Sequence, residues 1–85
     1  MLSNYKKQQA EAVLRNMDRE IRYNLEADYI CSVNVEKDEK NREAHLDRLM
    51  GKLDILRAVK AITFKQQMIL MEYYLERRRE EVDAA

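Results

Sequence analysis

His45 and Cys31 are the only histidine and the only cysteine of this chain, and they stand fourteen residues apart. A metal site needs several ligands converging at short spacing, so this pair cannot hold zinc unless another chain adds carboxylates. His45 reads as a partly exposed helix residue beside a leucine seam; its functional alternative is a pH-sensing pair with Asp28 or Glu43. Cys31 reads as a small apolar filler near a turn, because no cation is fixed beside it in sequence to favour the thiolate. The only serines are Ser3 and Ser32, neither on a strand-to-helix elbow, and no glycine-rich loop is present to wrap a phosphate. Carboxylates are plentiful but interleaved with Lys and Arg, where solvation is the ordinary state. These residues name no reaction, metal, cofactor or small-molecule substrate, and the expectation is a non-enzyme.

What remains is the chemistry of surfaces. Apolar residues make up 46% of the chain, too many for disorder, and 38% are charged, with 16 basic and 16 acidic residues. The balanced charge gives no general attraction to nucleic acid or anionic lipid. With no proline and one glycine, Gly51, the punctuation of sheets and long loops is nearly missing, so an all-helical chain is expected. The opening MLSNYKKQQAEAV has no apolar core of a signal peptide, and no run approaches the roughly 20 apolar residues of a membrane span. One unpaired cysteine suits a reducing compartment. A cytoplasmic, soluble protein is the expectation.

The periodicity predicts a single helical domain over residues 1–85, built as a helical hairpin. A first helix over about 3–29, capped by Ser3 or Asn4, carries an apolar stripe of Ala10, Val13 with Leu14, Met17, Ile21 and Leu25. Asn24 and Asp28 intrude on that stripe, either to fix register or oligomer state or because the helix has left the core there. The β-branched and small-polar segment Ile30–Val35 predicts a connection over about 30–37. A long second helix then fills about 38–82, with Leu46, Leu49, Leu53, Leu56 and Val59 as its seam and a solvated, frayed tail after Leu75. Gly51 costs such a helix about 1 kcal/mol without forcing a break. No cap or proline accompanies it, which favours one unbroken helix over two.

The stretch Ile62–Leu75 is apolar around most of its circumference. At about 100° per residue, Ala61, Phe64, Met68, Met71 and Leu75 form one stripe, Ile62, Ile69 and Tyr73 a second, and Leu70 with Tyr74 a third. Lys65, Glu72 and Glu76 share an arc of about 40°. A helix with so narrow a wet side must be covered nearly all round, and one partner helix covers one side. The missing cover is expected to come from a second copy, two hairpins pairing as a dimeric four-helix bundle, or from a larger client protein. The expected interaction and dimer face is Ile62, Phe64, Met68, Ile69, Met71, Tyr73, Tyr74 and Leu75. Tyrosine and methionine suit such a face, the one for its amphipathic ring and the other for its adaptable packing.

Nucleic-acid binding is the rival. Gly51 would mark the turn of a helix-turn-helix, but three positions that the motif buries are here Lys52, Arg57 and Lys60, and the small position four before the glycine is Asp47. ITFKQQMILMEYYLE resembles the helix that opens the DNA-binding region of sigma factors and related phage regulators. Where that region continues into a turn and a recognition helix, this chain reads Arg77-Arg78-Arg79-Glu80-Glu81. The expected function is therefore that of a small cytoplasmic regulatory or inhibitory adaptor, homodimeric, of the bacterial or phage kind, acting through a helical apolar face. The alternatives are a transcription-linked nucleic-acid binder using Lys52, Arg57, Lys60, Lys65 and Arg77–Arg79, and a purely structural self-assembly module.

Overall fold

In a computed structural model that describes residues 2–83, the chain forms four helices: α1, Asn4–Arg15; α2, Arg19–Val33; α3, Glu39–Ala58; and α4, Phe64–Asp83. The all-helical class is as expected, and no strand occurs among the described residues. The two-helix hairpin is not what forms: each of its long helices is divided in two.

The first division falls at Asn16–Asp18, inside the helix expected over 3–29. The Met17 N–H turns back to the Leu14 carbonyl at 3.1 Å. Asp18 then starts α2 with its carboxylate, accepting from Glu20 N at 2.9 Å and Ile21 N at 3.3 Å. The break leaves the stripe intact, because Ala10 and Leu25 are buried while Val13, Leu14, Met17 and Ile21 pack half-buried against the core. The expected connection over 30–37 also shifts. α2 continues through Ile30–Val33, where Tyr29 and Ser32 are buried, and packing there outweighs weak helix propensity.

The second division spares Gly51. That residue lies mid-way through α3, and the chain instead turns at Val59–Thr63. Two local devices make this turn. Lys60 adopts φ 63°, and the Ala61 and Lys60 N–H groups bond the Leu56 and Arg57 carbonyls at 2.8 and 2.9 Å, which is the Schellman closure usually built on glycine. Thr63 and Gln66 then form a reciprocal capping box: the Gln66 N–H donates to Thr63 Oγ1 at 3.0 Å, and the Thr63 N–H to Gln66 Oε1 at 2.8 Å. Ile62, 7% exposed, pins the turn to the core.

α2 packs on α3, and α4 crosses both. α1 runs antiparallel along the C-terminal half of α4, with Lys6 paired to Glu72 and the Leu2 N–H donating to Glu80 at 2.6 Å. The tail expected to fray is helical through Asp83, and it docks on α2 through Arg77 and Arg78. Leu25, Tyr29, Leu49, Leu53, Leu70 and Tyr74 are at most 1% exposed and form the centre. Leu46 and Leu56 are only half-buried and Val59 is exposed, so the leucine seam covers less of α3 than expected. No described helix is long and apolar enough to cross a membrane.

Candidate interaction face

Once the chain has folded, the three apolar stripes of α4 have different fates. Tyr73 and Tyr74 of the second and third stripes, with Leu70, face inward, and Ile62 of the preceding turn joins them. Ile69 is half-buried against the core. Ile62, Tyr73 and Tyr74, expected on the interaction face, are each buried among the chain's own helices. The first stripe is not covered. Phe64 is 66% exposed, Met68 47% and Leu75 39%, with Met71 half-buried between them. A shallow depression of about 360 Å³ lies along this stripe, lined by Met68, Met71 and Leu75 and edged by Glu72, Glu76 and Arg79.

The inward side owes part of its hold to one arginine. Arg77 stacks over the Tyr29 ring at 4.1 Å and clasps Glu26 with both terminal nitrogens, at 2.9 and 3.3 Å. Its burial disfavours the charge, yet the Glu26 carboxylate outweighs that and raises its pKa. Arg78 donates to the Ser32 carbonyl at 3.1 Å, and Arg79 pairs with Glu76 at 3.1 Å. The arginine cluster that a nucleic-acid reading would need is thus engaged within the chain. Burial raises the pKa of Tyr29 and Tyr74, which pack ring against ring at 5.5 Å.

Asn24 and Asp28, the two polar residues expected on the Ala10–Leu25 stripe, part company. Asn24 is exposed, its amide donating to the Glu20 carbonyl at 3.1 Å. Asp28 is 5% exposed and sits between two groups of α3: Lys52 Nζ lies 2.6 Å from one carboxylate oxygen and His45 Nδ1 3.1 Å from the other. Desolvation pushes the Asp28 pKa up, but the Lys52 and His45 hydrogen bonds, with the Lys52 charge, outweigh it and leave it lowered. Of the two carboxylates offered for His45, Asp28 and Glu43, the one that meets it is Asp28. Lys52, read before as a surface cation, is its stronger partner. The Ser32 hydroxyl is fully buried and donates to the Tyr29 carbonyl at 2.6 Å. Cys31 is a half-buried free thiol, and no group of metal-binding side chains converges among the described residues.

One surface escaped the sequence. Between α2 and α3 a small apolar groove of about 220 Å³ is lined by Ile21, Leu25, Ile55 and Leu56, with Asn24 and Lys52 at its edge. Ile55, 63% exposed, falls outside the leucine seam. Its adjacency to Leu56 was the available signal. Compared with known protein families, curated proteins and solved structures, the chain matches none.

Proposed function

We propose that this chain acts by protein–protein association, as a small regulatory adaptor that presents the outer face of α4 to another protein. The observation that carries this reading is the stripe of Phe64, Met68, Met71 and Leu75, which the fold leaves uncovered. These residues recur at i, i+4, i+7 and i+11, the spacing by which a helix offers anchors along one side. The stripe stands on a regular helix whose other faces pack on α1, α2 and α3, so little ordering cost opposes docking. Large apolar side chains held out together in this way mark association surfaces more often than scattered single ones do. No bond-making step enters this reading, and the lone free thiol suits a cytoplasmic setting.

The test compares the wild-type chain with Met68→Glu. Pure protein is weighed by light scattering over a range of concentrations, and immobilised protein is exposed to a cell extract. The reading expects the substitution to abolish an association seen in one of the two settings while far-ultraviolet circular dichroism is unchanged. If mass and retained proteins are the same for both chains, the reading is overturned.

A further inference from the structure

We infer that the occupant of the outer α4 face is a second copy of this chain, its α4 laid antiparallel along the first. This rests on the reading of that face as an association surface, and it names the partner. The spacing of Phe64, Met68, Met71 and Leu75 is four, three, four. Such a sequence of steps is the same read in either direction, so an inverted copy presents the same pattern. With the centre of symmetry between Ile69 and Leu70, Phe64 lies level with the partner's Leu75, and Met68 with the partner's Met71.

Charge then selects the orientation. Lys65, Glu72 and Glu76 lie on one flank of the stripe. When two helices pair antiparallel about a twofold axis, the same flank of each faces its twin. In this register Lys65 comes level with the partner's Tyr74, about 3 Å along the axis from both the partner's Glu72 and the partner's Glu76. The twofold axis repeats the contact, giving each lysine two carboxylates. Lys6 and Arg79 already share those carboxylates within the chain, at Glu72 and Glu76 respectively. A parallel pair offers Lys65 no such match, since its flank would face the side of α4 where Gln67 and Arg78 bind α3 and α2. The stripe is only about 17 Å long, short for a standard interface, so the pairing is weak and depends on concentration.

The experiment uses the full chain with Cys31→Ala, so that engineered thiols are the only ones. Phe64→Cys and Leu75→Cys are made in separate chains and oxidised alone and as a mixture. In the antiparallel register the mixture cross-links, because the two positions are level. Neither variant cross-links alone, each thiol being about 17 Å along the axis from its own counterpart. Cross-linking of Phe64→Cys with itself means a parallel pair and overturns the inference. A second arm measures charge: Lys65→Glu mixed with Glu76→Lys should associate roughly tenfold more tightly than either variant alone, as two repulsive contacts become attractive. Equal affinities overturn the register. If pure wild-type protein stays monomeric to about millimolar concentration, the second-copy assignment fails outright. Retention of an extract protein that Met68→Glu abolishes would still uphold the association function, so the two failures are separable.

Discussion

The two sides of α4 are equally apolar in sequence and entirely different in company. The inward side carries Leu70, Tyr73 and Tyr74 with Arg77, and each meets a neighbour: tyrosine rings stack at 5.2 and 5.5 Å, and Arg77 clasps Glu26. The outward side carries Phe64, Met68 and Leu75, which meet solvent. Hydrophobicity therefore does not say which side folds and which side binds. What distinguishes them is the partnership of polar groups. Inward residues come with ion pairs and stacked cations directed at other helices, while the outward stripe has charges only along its edge.

The sharpest way to break this contrast is to put a charge on the folding side. Leu53 is fully buried in α3. Leu53→Asp should cost about 3–5 kcal/mol, most of the stability of an 85-residue domain. Urea unfolding followed by circular dichroism checks this, with a chain largely unfolded in water as the expected outcome.

Arg77 tests the same contrast more gently. Arg77→Ala removes a forked pair and the stacking on Tyr29, and leaves Glu26 unpartnered on that side. The expected loss is about 2–3 kcal/mol. Arg77→Lys should recover little of it, since an ammonium neither forks nor stacks as a guanidinium does. Recovery to wild-type stability would show that charge alone matters here.

The Asp28 cluster supplies a pH counterpart. Its pKa in the folded chain is lowered, net of desolvation, by Lys52 and His45, while in the unfolded chain it stands near 4. The stability it contributes is complete above the unfolded value and is lost as pH falls below about 4, through the lowered folded value. Asp28→Asn should therefore be less stable at pH 7, and the gap to wild type should close in that acid window. Thermal melts across pH 2–7 read both slopes.

How much of this was legible in the sequence depends on the scale of the signal. The helical class, the buried Leu49 and Leu53 and the apolar stripes of α4 followed from periodicity, though not which stripe faces outward, because burial repeats along a helix whether or not the helix is broken. The breaks did not follow, for the same reason: the stripe from Ala10 to Leu25 keeps its phase across Asn16–Asp18. The second break was written locally, in Thr63-x-x-Gln66. The lone glycine does not mark it, because Lys60 holds the positive φ where glycine is usual. The breaks also change what covers α4. A chain of two helices leaves Tyr73, Tyr74 and Ile62 uncovered, whereas a chain of four covers them itself. Asp28 finding Lys52 depends on how α2 and α3 dock, which no spacing encodes.

The same pair of positions gives the next prediction and sets glycine where each conformation wants it. Gly51 is mid-helix, and a β-carbon built there meets nothing within 4 Å. Gly51→Ala should therefore stabilise the chain by about 1 kcal/mol. Lys60 is left-handed, a conformation that costs a non-glycine residue about 1 kcal/mol or more, so Lys60→Gly should also stabilise, by somewhat less once the gain in unfolded-state entropy is subtracted. Gly51 lies within α3 and Lys60 in the turn that follows it, so the two effects should add. Denaturant midpoints of the single and double variants check this. Destabilisation by Lys60→Gly would mean that the turn between α3 and α4 is not closed by a left-handed residue, and with it the division that separates the two helices would be in doubt.

The smallest expected effect on folding is the most telling for function. Met68 is 47% exposed on the outward side, so Met68→Glu should change the stability of the monomer by no more than about 0.5 kcal/mol. Lys65, three residues before it, eases the added charge, and Glu72, four after it, opposes it. The measurement belongs at high dilution, where any association has been lost and mass action adds nothing to the apparent stability. A melt displaced by many degrees under those conditions would place Met68 in the core after all, and the outward stripe would lose its middle. An unchanged melt, beside the collapse caused by Leu53→Asp, would show that a single charge distinguishes the apolar surface that folds the chain from the one left free to bind.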